Sequence, residues 1–159
     1  MALRLALNGF GRIGRLTLRA FLERSLHPFS EMPPLSQIEI VALNDLGPLK
    51  NNAYLMKYDS VHGRFLGTLE EKDESLFTDR GELKVFQEPN PQKLPWKDLG
   101  IDLVLECSGH FTSGPKAAAH LEAGAKRVLI SAPADDIDFT VVYGINHEKL
   151  LPSHQLVSN

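Results

Sequence analysis

The run Gly9-Phe10-Gly11-Arg12-Ile13-Gly14 sets three glycines at the first, third and sixth of six positions. That spacing suits a phosphate chain. Gly9 permits a tight strand-to-helix turn, Gly11 removes the side chain that would block a pyrophosphate, and Gly14 lets the following helix pack close to the strand. The helix then aims its free N–H groups and the positive end of its dipole at the phosphates. Glycines also mark ordinary turns, so the flanking residues decide. Asp45, 31 residues beyond Gly14, ends the next apolar run. A carboxylate there accepts hydrogen bonds from both ribose hydroxyls and repels a 2′-phosphate, which favours NAD over NADP, and Leu46 offers no cation to reverse that choice. The usual separation to such an acid is about 20 residues; a proline-rich loop, SLHPFSEMPPLSQ at 25–37, accounts for the excess. The alternative is that Asp45 only caps the following helix.

Other side chains invite chemistry with less support. Ser108 and Ser131 follow two later apolar runs and can reach a ribose or nicotinamide, or equally cap a turn. Cys107, the single cysteine, needs a neighbouring base and a lowered pKa to act as a nucleophile; at the end of an apolar strand it reads as a packed, inert thiol. The histidines at 27, 62, 110, 120, 147 and 154 show no metal-ligand spacing. Asp135, Asp136 and Asp138 lack the glycine and distal glutamate of a calcium loop, so a solvated loop is expected there and no metal is. Lys57, Asp59, His62 and Arg64 read as salt-bridged loop packing.

These residues need a frame. Leu3–Leu7 is a short buried strand breaking at Asn8 and Gly9, and Ile13, Leu16, Ala20 and Phe21 recur at helical spacing over 12–23, predicting a helix with that face on the core. Strands are predicted at 38–43 and 102–106, at 127–131, 140–143 and 155–157, and helices at 48–58 and 115–123, the last ended by Gly124. Residues 66–87 alternate in short runs between polar turns, which predicts a small antiparallel excursion. Strands alternating with helices give an α/β fold, a doubly wound, mainly parallel sheet of Rossmann type with helices on both faces.

At 159 residues the chain is expected to form one domain, 1–159, large enough for a real core. Seventeen basic against twenty acidic residues leave no basic footprint for nucleic acid. One cysteine excludes an internal disulfide and points to the cytoplasm. No signal peptide or membrane-length apolar stretch is apparent.

NGFGRIGR (8–15), VALNDL (41–46), YLMKYDSVHGRF (54–65), PW (95–96), AGAKRVLISAPA (123–134) and VVYGIN (141–146) together resemble the N-terminal half of glyceraldehyde-3-phosphate dehydrogenase of the bacterial type, in order and across essentially the whole chain. Erythrose-4-phosphate dehydrogenase is the nearest competitor, and Asp45 with the LMKYDSVHGRF pattern favours the former. The resemblance implies an NAD-binding domain with cofactor contacts at Asn8, Gly9, Phe10, Gly11, Arg12, Ile13, Gly14, Asn44, Asp45, Ser108, Gly109 and Ser131. Within that set Arg12 and Ile13 meet the pyrophosphate through their backbones, the Ile13 side chain lies against the nicotinamide, Asp45 takes the adenosine ribose, and Ser131 approaches the nicotinamide ribose. The family's adenine-side arginine is replaced around Glu88 and Pro89, where a backbone carbonyl can serve. In the family VSN leads into the catalytic cysteine motif, so no catalytic residue is expected here, and the chain alone is expected to be inactive. The intact enzyme implied is a homotetramer that oxidises a small phosphorylated aldehyde through a cysteine thioester, reduces NAD, and releases the acyl group by phosphorolysis. A self-standing NAD-binding module is the alternative of a different class.

Overall fold

The computed structural model describes residues 2–26 and 37–159; the predicted proline-rich loop falls mostly outside them. The chain runs β1 (Leu3–Asn8), α1 (Arg12–Leu26), β2 (Ile38–Asn44), α2 (Leu49–Lys57), β3 (Tyr58–Asp59), β4 (Gly63–Arg64), β5 (Leu69–Lys72), β6 (Ser75–Thr78), β7 (Gly81–Phe86), β8 (Leu103–Glu106), α3 (Gly114–Glu122), β9 (Arg127–Ile130), β10 (Phe139–Thr140) and β11 (Leu156–Ser158). Nine strands form one sheet in the order β10-β11-β9-β8-β1-β2-β7-β6-β5, and β3 with β4 forms a separate antiparallel hairpin. Every pairing from β10 to β7 is parallel, whereas β7–β6 and β6–β5 are antiparallel. The predicted excursion is therefore real, but its last strand returns to the main sheet, with Leu43 paired to Val85.

Successive strand residues point to opposite faces, and that alternation builds two cores. Ala6, Ala42, Val104 and Val128 face one side, packed with Trp96 and with Ala117 of α3. Leu7 and Leu43 face the other, with Leu18 and Leu22 of α1 and Met56 of α2. Helices thus cover both faces, as a parallel sheet requires.

Two predictions need correcting. Of the predicted core face of α1, Phe21 packs against the core and Leu16 is half-buried, but Ile13 and Ala20 are exposed, and the fully buried row is Gly14, Leu18 and Leu22. Gly14 causes this, because its backbone lies so close to Gly9 that the helix can present only that row to the sheet. The strand predicted over 140–143 is shorter and shifted to Phe139–Thr140; the Asn146 side chain accepts from the Val142 N–H and donates to the Thr140 carbonyl, closing a turn there. Among the described residues no helix is long and apolar enough to cross a membrane.

Candidate functional site

From β1 the chain passes to β2 on one side and later to β8 on the other, so strand order reverses between β1 and β8. Ligands of open α/β sheets bind at such a point, outside the carboxyl ends of the strands. A cleft of about 460 Å³ lies there, lined by Gly9 and Gly11, by the segment Asn44 to Gly47, by Glu88 and Pro89, and by Cys107, Ser108, His110 and Phe111.

Each glycine of the turn has a separate physical task. Gly9 has φ +92°, and a Cβ on it would stand 2.5 Å from the Ser108 backbone nitrogen and Cα. A Cβ on Gly14 would stand 2.1 Å from the Gly9 carbonyl oxygen. Neither position admits a side chain. Gly11 is the opposite case: a Cβ there would meet no atom within 4 Å. Folding does not require glycine at 11, and the space it leaves opens onto the cleft. The first turn of α1 holds no acidic residue of its own.

Asp45 does not cap α2, whose N-cap position is held by Pro48 with no side-chain cap. Its Oδ2 accepts from the Phe10 N–H at 2.7 Å, and its Oδ1 accepts from the Gly47 N–H and the Asn52 carboxamide, each at 2.9 Å. The carboxylate is thereby fixed against the glycine turn on the cleft wall. Asn52 is buried on α2 and was not singled out from sequence; an asparagine on an apolar helix face seven residues after the acid was the available signal.

The remaining candidates divide. Phe10 reaches the site only through its backbone, since its ring is buried in the core with Leu18. Arg12 and Ile13 stand exposed at the mouth of the turn, with Arg12 Nη1 3.1 Å from Asp59 Oδ2. Asp59 also accepts from the His62 and Val61 N–H groups, which hold its carboxyl well below the usual carboxylate range. Arg19, buried on α1, donates to the carbonyls of Gly63 and His62, so this loop is strapped to α1 rather than only to itself. Ser131, whose N–H donates to the Glu106 carbonyl, is not among the residues that line the cleft, and burial pushes the Cys107 thiol above its ordinary pKa. Asp138 accepts from the Gln155 and Leu156 N–H groups and so anchors β11.

A buried polar chain, missed from sequence, runs beneath the cleft. Trp96 Nε1 donates to His120 Nδ1 at 3.0 Å, and His120 Nε2 meets Glu106 Oε2 at 2.9 Å. Asn8 donates to the same carboxylate at 2.5 Å, Asn44 donates to Asn8 at 2.7 Å, and the Glu88 N–H donates to Asn44 at 2.9 Å. Asn8 and Asn44 line the cleft, yet their carboxamides are engaged in this chain. The available signals were a glutamate closing an apolar strand and a histidine within an alanine-rich helix.

A strand-turn-helix with two packed glycines and one open one, facing a pinned aspartate at the switch point, defines a dinucleotide-binding domain of Rossmann type. Residues 3–114 match the family model described as glyceraldehyde 3-phosphate dehydrogenase, NAD binding domain. The chain belongs to the glyceraldehyde-3-phosphate dehydrogenase family and carries its NAD-binding domain. It is similar to the glyceraldehyde-3-phosphate dehydrogenases of Xanthobacter flavus, 54% identical over 159 residues, and of Thermotoga maritima, 52% identical over 155. A third relative, from Zymomonas mobilis, is 49% identical over 160 residues. These alignments cover 98% or more of this chain but only 44 to 45% of each relative. The chain therefore spans a little under half the length of the curated relatives it matches.

Proposed function

We propose that this chain supplies the cofactor half of a phosphorylating glyceraldehyde-3-phosphate dehydrogenase, and that NAD lies in the cleft between the glycine turn and Ser108. The open position at Gly11 carries the reading, since it is a gap that folding does not need and a pyrophosphate does. When bound, NAD accepts a hydride from the aldehyde carbon. The chain's own residues bind and orient it. The N-terminus of α1 faces the phosphates, Asp45 accepts from the adenosine ribose hydroxyls, the Ile13 side chain lies toward the nicotinamide, and Ser108, Gly109 and Ser131 complete the far wall. Asn8, Asn44, Phe10 and Gly14 shape the site rather than touch the ligand with their side chains. Cys107 is not the nucleophile: a half-buried thiol with a raised pKa offers little thiolate at neutral pH. The thiol that attacks the aldehyde belongs to the remainder of the enzyme, a cytoplasmic homotetramer in this reading.

Calorimetric titration tests the site. Asp45→Ala is expected to weaken NAD binding by about 10- to 100-fold, the loss of charge-assisted hydrogen bonds worth about 1.5–3 kcal/mol, and to narrow discrimination against NADP. Unchanged affinity for both cofactors removes Asp45 from the site. Given glyceraldehyde 3-phosphate, phosphate and NAD, the 159-residue chain is expected to produce no NADH; turnover by it contradicts the reading.

A further inference from the structure

Glu106 ends β8 as a carboxylate only 1% exposed, and among the described residues its one ion-pair partner is His120. A charge so placed is costly unless its oxygens are saturated by donors, and an apolar residue of similar size is often the more stable choice. The donors are present and they are specific. Oε2 accepts from the Asn8 carboxamide and from His120, while Oε1 accepts from both the N–H and the hydroxyl of Ser108. The Trp96 N–H fixes the imidazole: it occupies His120 Nδ1 as an acceptor, so the proton sits on Nε2 and points at Glu106. Four donors converge on the two carboxylate oxygens, which meets the requirement that a buried carboxylate be hydrogen-bonded.

Three of those donors, from two residues, belong to the cleft. Ser108 forms its far wall and also abuts Gly9, where even a Cβ would collide with the Ser108 backbone. Asn8 is the residue directly before Gly9. The Phe10 ring and the Asp45 carboxylate hold the turn from the β2 side, whereas Glu106 ties Ser108 and Asn8 together from below. We propose that Glu106 is a positioning residue for the cofactor: its carboxylate, aimed by the Trp96–His120 pair, sets the distance between the Ser108 wall and the glycine turn.

The inference rests on the cleft being the cofactor's. Glu106→Gln tests it, because the amide oxygen can retain Asn8 and His120 while its NH₂ turns a donor toward the Ser108 N–H. The core contacts survive and the wall loosens. With a native circular dichroism spectrum, the variant is expected to bind NAD about tenfold more weakly by calorimetry and to exchange its Ser108 amide about tenfold faster than the wild-type chain. Binding within twofold of wild type by a folded variant overturns the proposal. If the variant does not fold, the wild-type chain decides by NMR. Saturation with NAD is expected to shift the His120 Nε2–H and Ser108 amide signals and to slow Ser108 exchange; signals that stay in place overturn it. Failure of the wild-type chain to bind NAD would instead remove the cofactor reading on which this rests.

Discussion

Asp45 faces two ways with one carboxylate. Its protein contacts fix the glycine turn and the start of α2 through three of its roughly four acceptor positions, and the residue lines the cleft. Sequence spacing shows the acid and the three glycines, because each is tied to a chain position: a strand end, a helix start. It does not show Asn52, Glu106 or His120, whose roles come from contacts made only after the sheet assembles, such as His120 with Trp96 across 24 residues. Aspartates elsewhere tie stability to pH. Asp59, Asp79, Asp102 and Asp138 all sit below the ordinary carboxyl pKa, chiefly because backbone N–H groups donate to Asp59, Asp102 and Asp138, and Thr68 to Asp79. Each binds a proton less readily folded than unfolded. Their stabilisation is therefore complete above the unfolded value, about pH 4, and is lost as pH falls through and below it. Urea midpoints are expected to drop steadily as the pH is lowered from about 5 to 3, and Asp59→Asn is expected to flatten that drop. An unchanged slope would show that the Asp59 loop is not among the groups responsible.

Among the elements, α1 carries the sharpest contrast between pattern and structure. Ile13, Leu16, Ala20 and Phe21 keep helical spacing, and so do Gly14, Leu18 and Leu22. Periodicity alone cannot choose between two rows offset by one residue. Close packing of Gly14 on Gly9 chooses, and leaves Ile13 exposed. Leu18→Ala is therefore expected to cost about 2–5 kcal/mol in urea denaturation, while Ile13→Ala stays within about 0.5 kcal/mol and weakens NAD. Equal destabilisation by the two would return Ile13 to the core. Strands β1, β2 and β8 were readable as apolar runs because both of their faces are buried. The parallel return of β7 beside β2 was not, since alternation in a short strand says nothing about which neighbour it pairs with.

At the scale of the molecule, one end of the sheet leaves apolar side chains uncovered. Tyr143 and Ile145 are more than 80% exposed, with Leu150 and Leu151 beside them in sequence order. Exposed apolar surface of this kind promotes association. Sedimentation velocity of the 159-residue chain is expected to show concentration-dependent oligomers, and a clean monomer at high concentration would contradict it. The cofactor reading itself turns on the second glycine of the turn. Gly11→Ala adds one methyl group where the folded chain has nothing within 4 Å. Thermal melting paired with calorimetry is expected to find its Tm unchanged and its NAD affinity lowered by at least about tenfold. An alanine variant that melts normally and binds NAD as tightly as the wild-type chain would contradict the placement of the pyrophosphate over the glycine turn.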